Sequence, residues 1–100
     1  MLKLSNSNVR RAVQERVEFK NTNGTLFGKW ETPFLYVVYS YGEHFPMFLY
    51  DCAWYAWAIN TDKYSVTTSR HFTYANPECE NVGSTTQELK EYIRKCKSEV

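Results

Sequence analysis

The segment FLYVVYSY, residues 34–41, constrains the fold of this 100-residue chain more than any other part of its sequence. Its β-branched and aromatic residues suit a pleated strand, in which successive side chains point to opposite faces. Those faces would carry Leu35, Val37, Tyr39 and Tyr41 on one side and Phe34, Tyr36, Val38 and Ser40 on the other. Because neither face is clearly polar, we expect the strand to be central in its sheet, with other groups covering both sides.

Four further segments of similar composition predict strands at about 25–31, 46–51, 54–59 and 64–68. The residues between the predicted strands are of turn-forming types, as in TP, GE and NTD. Connections this short cannot return a parallel strand, so we expect an antiparallel meander. The segment 52–59 stays open between strand and helix, because its alanines also suit a helical turn and short apolar runs do not distinguish the two.

Helical patterns flank the predicted strands. Apolar residues recur at three- and four-residue steps over 9–17, which predicts a helix from Asn8 to about Lys20. Near the other end, the sequence ENVGSTT is expected to be a loop. Thr85 and Glu88 then have the spacing of a capping box, in which each side chain binds the other residue's backbone N–H. A second helix should therefore start beside them.

These patterns predict a single domain over residues 1–100. Its fold class is α+β, with an antiparallel four- or five-stranded sheet flanked by an N-terminal and a C-terminal helix. Helices in so short a chain could leave an aromatic sheet face bare, and a bare face of that kind would favour a partner, since monomers rarely expose more than a few hundred Å² of apolar surface. In the alternative, the tyrosine hydroxyls simply reach the rim of an ordinary core.

Charge and composition exclude several functional classes. The 12 Lys and Arg residues against 11 Asp and Glu residues leave a net charge of +1, which gives no global attraction to nucleic acid or anionic membranes. No segment approaches the roughly 18 apolar residues of a membrane-spanning helix, and no signal peptide is apparent, so we expect a cytoplasmic location. The three cysteines form no CxxC, and there is no glycine-rich phosphate loop, so neither a metal nor a cofactor is expected.

Two polar clusters lie beside the predicted strands. In the first, Glu43 and His44 follow a glycine, and a carboxylate beside an imidazole could act as a base and its orienting group. A surface polar pair in a turn is the ordinary interpretation of the same residues. In the second, residues 62–71, three hydroxyls with Arg70 and His71 could hold a phosphate or a carboxylate. A solvated strand end is again the alternative.

The clusters leave two further functions open. Glu43, His44, Arg70 and His71 are the residue types that a small ribonuclease uses as base, acid and phosphate ligand. A single-stranded nucleic-acid binder is the other, since sheet aromatics can stack on unpaired bases and Lys63 and Arg70 could contact phosphates. The basic residues of both predicted helices alternate with acids, however, which is typical of a solvated helix face.

The segment YVVYSYGEHFPMFLYD, followed by DKYSVTTSRH and a nearby ANP, resembles a group of small uncharacterised proteins encoded by bacteriophages and other mobile elements. The similar part covers roughly residues 34–77 and leaves both predicted helices outside. Small phage proteins often bind and disable a host enzyme or a defence complex, and few are catalysts. The resemblance therefore implies a protein-binding module acting in the cytoplasm of a host cell.

We accordingly expect a small non-catalytic module that binds a host or defence-system protein, or a second copy of itself. Nucleic acid is a possible but less favoured partner, and a membrane is not expected. Aromatic residues would anchor the partner, and basic residues would set its orientation. The predicted binding residues are Tyr39, Tyr41, His44, Phe45, Lys63, Tyr64, Arg70 and His71.

Overall fold

In the computed structural model, which describes residues 2–42, 45–62, 66–78 and 81–98, the strands form one seven-stranded sheet in sequential order. The strands are β1 (Leu2–Leu4), β2 (Phe19–Asn21), β3 (Leu26–Thr32), β4 (Leu35–Ser40), β5 (Pro46–Asp51), β6 (Ala56–Asn60) and β7 (Asn81–Ser84). The described helices are a 3-10 turn (Asn6–Asn8), α1 (Val9–Gln14), α2 (Val66–Ala75) and α3 (Thr86–Ser98). None of these helices is long and apolar enough to cross a membrane. The α+β class is as predicted.

The sheet is an antiparallel meander in the middle, and a parallel pair of strands forms each edge. β2 to β6 alternate in direction, whereas β1 runs parallel to β2 and β6 runs parallel to β7. Parallel neighbours need a crossover connection, and α1 and α2 lie in these two crossovers. Because the four edge strands run in one direction, crossovers of the same hand place both helices on one face. The prediction of four or five antiparallel strands is therefore wrong at both edges.

β4 lies in the middle of the sheet, and all 6 of its residues are buried, as its two apolar faces predicted. One face packs with residues of α1 and α2, and the other packs with α3. The buried tyrosine hydroxyls reach the rim of the core. Tyr36 donates to the Val17 carbonyl oxygen (2.7 Å), and Tyr39 donates to Glu31 Oε1 (2.6 Å). The helices therefore leave neither face of β4 bare for a partner.

The first helix is shorter than predicted, because it ends at Gln14 and β2 begins at Phe19. Arg16 has a left-handed φ of 56°, and the N–H groups of Arg16 and Val17 bond back to carbonyl oxygens of α1 (3.0 and 2.9 Å). This is a Schellman cap, a position that usually holds glycine, so the sequence contained no stop signal there. Tertiary contacts hold Arg16 instead, since its guanidinium lies 4.4 Å from the centre of the Tyr50 ring.

The predicted strand at 64–68 is wrong, since α2 begins at Val66; residues 64 and 65 lie outside the described ranges. The β-branched residues at its start favoured a strand in the sequence. Topology decides otherwise, because parallel β6 and β7 need a crossover between them. α2 also packs on the sheet, where the rings of Phe72 and Phe48 meet edge to face at 5.2 Å and Ala75 is fully buried.

The segment that stayed open between strand and helix is a turn at 52–55 followed by β6. The sequence ENVGSTT was expected to be a loop, but its middle forms β7, where pairing with β6 outweighs weak strand propensity. The capping box at the start of α3 is confirmed. The Thr85 N–H donates to Glu88 Oε1 (2.9 Å), and the Glu88 N–H donates to Thr85 Oγ1 (3.2 Å).

Candidate functional site

α3 divides one face of the sheet into two grooves of different chemistry. Its buried side chains, Leu89 and Ile93, pack on β4 and β5. The groove on the side of β6 and β7, which we call the apolar groove, is lined mainly by Leu49, Ala56, Ala58, Val82, Leu89 and Tyr92. The groove on the side of β3, which we call the basic groove, is lined by Glu31, Tyr39, Lys90, Ile93, Arg94 and Lys97.

The apolar groove exists because β6 presents small side chains to α3. Ala58 pairs with the buried Leu49 and Ala56 pairs with Asp51, which places both alanines on the α3 face. Their methyl groups leave a cavity of about 380 Å³ beside α3. Ligand pockets usually measure about 300–1,000 Å³, so this cavity has room for one large side chain of a partner.

Two neighbouring turns beside the apolar groove expose three large aromatic side chains. Phe34, between β3 and β4, is 64% exposed, and Trp54 and Tyr55, between β5 and β6, are 76% and 84% exposed. The turns are adjacent because β4 pairs with β5, and the Cys52 N–H donates to the Phe34 carbonyl oxygen (3.0 Å). We call Phe34, Trp54 and Tyr55 the aromatic turn surface. Since Trp54 also lines the apolar groove, the two are continuous.

Asp51 fixes the turn between β5 and β6 and joins it to α3. Its Oδ1 accepts the Ala53 N–H (2.8 Å), and its Oδ2 accepts the Tyr92 hydroxyl. Its carbonyl oxygen accepts the Trp54 N–H (3.2 Å). Because Asp51 is only 9% exposed, these donors replace the water that a carboxylate would otherwise bind. The position of Trp54 is therefore set by hydrogen bonds that include a residue of α3.

Tyr55 is held in a strained backbone conformation. Its φ of 50° lies in the left-handed region, which costs a residue with a Cβ about 1–2 kcal/mol and is normally left to glycine or asparagine. Because its side chain is 84% exposed, the ring gains little packing energy in return. Stability therefore does not explain a tyrosine at this position. Backbone strain of this kind is concentrated at functional sites.

The structure brings two of the predicted binding residues, Tyr41 and His71, together at the opposite end of β4. Their rings lie 5.4 Å apart, and the Ser40 hydroxyl is 2.7 Å from His71 Nδ1. Burial lowers the pKa of His71 below its ordinary value of 6.5, so the imidazole is neutral at pH 7. Ser40 is fully buried, and no carboxylate among the described residues hydrogen-bonds the ring. The contact between Ser40 and His71 therefore joins α2 to β4.

The other predicted binding residues that the structure describes, Tyr39, Phe45 and Arg70, do not share one surface. Tyr39 and Phe45 are buried, at 2% and 1% exposed, and they lie on opposite faces of the sheet. Arg70 is exposed on α2. Within the described ranges, no group of three or more His, Cys, Asp and Glu side chains could hold a metal ion. Five residues of the predicted polar clusters lie outside the described residues, namely Glu43, His44, Lys63, Tyr64 and Ser65.

The aromatic turn surface was missed because Trp54 and Tyr55 were assigned to the start of a strand at about 54–59, with a helical turn as the alternative. A signal was available in the sequence. If Trp54 and Tyr55 were in a strand, their side chains would point to opposite faces, and both faces would have to cover a large ring. Asp51, just before them, is of a residue type that starts turns through its own side chain. The pattern of exposed aromatics after a turn-forming Asp could therefore have identified this surface.

The basic groove is built by residues whose sequence pattern indicated a solvated helix face. Lys90, Arg94 and Lys97 follow one another at helical spacing and lie on one side of α3. Lys97 Nζ is 3.1 Å from Glu31 Oε2, and Lys29 Nζ is 3.3 Å from Glu31 Oε1. The helix face that the sequence assigned to solvent is therefore one wall of a groove.

Glu31 lies at the floor of the basic groove, with a side chain that is only 4% exposed. Burial tends to raise the pKa of its carboxyl group, but hydrogen bonds from Tyr39 and Lys97 and the charge of Lys29 outweigh burial and lower that pKa below 4.5. Glu31 is therefore ionised at pH 7 and is surrounded by two lysines. Lys90 and Arg94 add positive charge to the same groove.

Two surfaces thus have the composition of binding sites. The aromatic turn surface and the apolar groove have the exposed rings and apolar lining that are typical of protein interfaces. The basic groove has the cations that recognise polyanions. Comparisons with protein-family models, with curated protein sequences and with solved structures find no match to this chain. Its function is therefore inferred from these two surfaces.

Proposed function

We propose that this chain is a small non-catalytic module that binds another protein through the aromatic turn surface and the adjoining apolar groove. The observation that carries the proposal is the pair Trp54 and Tyr55, which are 76% and 84% exposed on a turn that Asp51 fixes. A strained tyrosine and a neighbouring tryptophan, both facing solvent, contribute little to the stability of the fold. Their exposure is explained if a partner covers them.

The size of the surface suits an interface. The exposed parts of Phe34, Trp54 and Tyr55 offer on the order of 500 Å² of mostly apolar area. The largest apolar patch of a typical monomer is about 300–600 Å² and is often functional, and a stable interface buries about 800 Å² on each partner. Tryptophan and tyrosine are also the side chains that most often dominate binding energy. The three rings would therefore be the anchors of the interface.

The lining of the apolar groove indicates what the partner presents. The cavity is concave and bordered by alanine methyl groups and Leu89, so it fits a protruding apolar side chain. Its charged lining residues are both acidic, Asp51 and Glu88, so a basic residue beside that apolar side chain gives complementary charge. We identify the partner as a protein of a host cell or of a defence system, in keeping with the resemblance to small phage proteins.

The Ser40–His71 pair resembles a catalytic pair, but its burial favours a binding role for the protein over catalysis. A serine beside an imidazole at 2.7 Å has the geometry of a nucleophile and its base. Ser40 is fully buried, however, and His71 is only 4% exposed, so a substrate would have no access to either. The pair is accounted for by the packing of α2 on the sheet.

Affinity capture with matched variants tests the proposal. Tagged wild-type protein, Trp54→Ala and Tyr41→Ala are incubated with lysate of the host, and the proteins retained are compared by mass spectrometry. Tyr41 is also an exposed tyrosine, but it lies at the opposite end of the sheet. We expect the wild type and Tyr41→Ala to retain the same protein and Trp54→Ala to lose it, while Trp54→Ala keeps the melting temperature of the wild type. Loss with Tyr41→Ala and retention with Trp54→Ala would move the interface to the other end.

Sedimentation distinguishes a foreign partner from a second copy. The isolated chain should sediment as an 11.8 kDa monomer over a wide range of concentration. A dimer that dissociates in the Trp54→Ala variant would assign the aromatic turn surface to self-association, and the proposal of a foreign protein partner would then be rejected.

A further inference from the structure

We propose that the basic groove binds single-stranded nucleic acid along its sugar–phosphate backbone, independently of the aromatic turn surface. The net charge of +1 provides no global field, so such a role requires a local concentration of cations. The fold creates that concentration by placing α3 beside strands that carry lysines on the same face.

The lysines of β1 and β2 extend the basic groove across the sheet. Lys3 pairs with Lys20, Lys20 pairs with Phe27, and Phe27 pairs with Tyr39. Residues that pair directly across strands share a face, and Tyr39 lies on the face that packs with α3. α1 and α2 pack on the opposite face. The row from Lys3 to Tyr39 therefore forms a floor, and the basic side of α3 forms a wall.

The cations of the groove differ from the arginines on the other face. On α1, Arg10 pairs with Glu78 (2.9 Å) and Arg11 pairs with Glu15 (3.3 Å). Their charges are at least partly neutralised within the protein. Four cations that border the groove form no ion pair among the described residues: Lys3, Lys20, Lys90 and Arg94.

Phe27 provides the basic groove with an aromatic ring on which a nucleobase can stack. Its ring is half-buried and stacks on the Tyr39 ring at 5.2 Å with an angle of 25° between the planes. Lys20 is its exposed neighbour on β2. Aromatic side chains beside a basic track are the recurrent design of proteins that bind single strands, because every base has a ring face that stacks. A base placed against Phe27 would continue the existing stack.

The shape favours a single strand over a duplex. Lys90 and Arg94 are separated by about 6 Å along the helix axis, so the wall offers closely spaced contacts to one chain of phosphates. A flexible strand can follow both wall and floor, whereas a duplex is normally bound by an element that enters one of its grooves. An acidic peptide shares the charge but does not use Phe27 as a stacking partner.

Fluorescence anisotropy with labelled oligothymidine and oligouridine tests the inference. If Lys3, Lys20, Lys90 and Arg94 each contact a phosphate, the logarithm of the binding constant falls with the logarithm of salt at a slope of about −2.8. The affinity then drops about 50-fold between about 50 and 200 mM salt. The double variant Lys90→Gln, Arg94→Gln should reduce the slope to about −1.4. A preference for either oligonucleotide identifies which nucleic acid is bound.

A matched control has the same change in net charge on the opposite face. Arg11→Gln, Arg70→Gln should bind as the wild type does, with the same slope. If both double variants lose oligonucleotide affinity equally, the effect depends only on net charge, and the proposal that the basic groove is the binding site is rejected. Phe27→Leu, which keeps an apolar side chain in the core, should weaken binding about fivefold or more without changing the slope. Equal binding of polyglutamate, together with no effect of Phe27→Leu, would reject nucleic acid as the ligand.

Discussion

The two sides of α3 show how one helix can border two different surfaces. Leu89 and Ile93 form the central stripe that packs on the sheet. Glu88 and Tyr92 follow at a four-residue step on the side of the apolar groove, and Cys96, one step further, lies beside a cavity that Phe34 and Trp54 also line. Lys90, Arg94 and Lys97 follow at similar steps on the side of β3. A short core stripe therefore leaves two flanks of α3 whose side chains border different surfaces of the molecule.

The sheet beneath the helix explains the rest of the difference. On the side of β6, Ala56 and Ala58 are too small to fill the space under α3, and an apolar cavity results. On the side of β3, Lys29 and Glu31 place charged side chains under α3, and Glu31 forms ion pairs with both Lys29 and Lys97. The chemistry of each groove is thus set jointly by one strand and one flank of the helix, and a substitution in one groove should leave the other unchanged.

The largest effect that separates the two sides is expected from Tyr92→Phe. This substitution removes the hydroxyl that donates to the Asp51 carboxylate, which is only 9% exposed. The loss of a hydrogen bond to a buried charge should lower the free energy of unfolding by about 1–3 kcal/mol in denaturant titrations. The turn that carries Trp54 should also loosen, so capture of the protein partner should weaken.

Oligonucleotide binding provides the control for Tyr92→Phe. Tyr92 does not line the basic groove, so the anisotropy curve of the variant should overlay that of the wild type at temperatures where both are folded. A parallel loss of both activities would mean that the two flanks of α3 are coupled.

Glu31→Gln is expected to lower stability less than Tyr92→Phe does, and to change oligonucleotide binding instead of partner capture. The carboxylate holds Lys29 and Lys97, and its removal should lower the free energy of unfolding by about 1 kcal/mol near pH 7. It also removes the acid at the floor of the basic groove, so oligonucleotide binding should strengthen while partner capture stays constant. Weaker oligonucleotide binding by a folded variant would contradict the assignment of the groove.

The pH dependence of the same variant sharpens the test. The pKa of Glu31 is lowered in the folded state, so its contribution is complete above its ordinary pKa of 4.5 and is lost as the pH falls through the folded value. The wild type should therefore lose more stability than Glu31→Gln when denaturant titrations are repeated from pH 6 down to pH 3. If the wild type and Glu31→Gln lost the same stability between pH 6 and pH 3, the ion pairs of Glu31 with its lysines would not stabilise the fold.

The parts of the fold that depend on local signals could be predicted from the sequence. The capping box at Thr85 and Glu88 locates the start of α3, and the lack of a polar face in β4 identifies a strand buried on both faces. The end of α1 could not be predicted, because Arg16 takes a position usual for glycine and is held by distant residues. The strand–helix error at α2 has the same origin, since only the parallel pairing of β6 and β7 requires a crossover there.

The candidate surfaces were harder to predict than the fold. Tyr39, Tyr41 and His71 were selected for their residue types, but whether each side chain is accessible depends on which face of the sheet α2 and α3 cover. The basic groove is assembled from β1, β2, β3 and α3, so no single segment of sequence displays it. The pair Trp54 and Tyr55 is local, and it is the one feature that residue order alone could have revealed.

Tyr55→Gly distinguishes partner binding from fold stability as the role of Tyr55, because the backbone of this residue is strained and its side chain is exposed. Glycine relieves the left-handed strain of about 1–2 kcal/mol and costs about 0.5–1 kcal/mol in chain entropy. Tyr41→Gly is the matched control, since Tyr41 also has a left-handed φ, of 61°, but its ring packs on His71 at the opposite end of the sheet. Free energies of unfolding and partner capture are measured for both variants.

We expect Tyr55→Gly to unfold with a free energy equal to that of the wild type or up to about 1.5 kcal/mol higher, and to lose the partner. Tyr41→Gly should keep the partner. A Tyr55→Gly variant that is clearly less stable than the wild type and still captures the partner would contradict the account, because the tyrosine would then serve the fold.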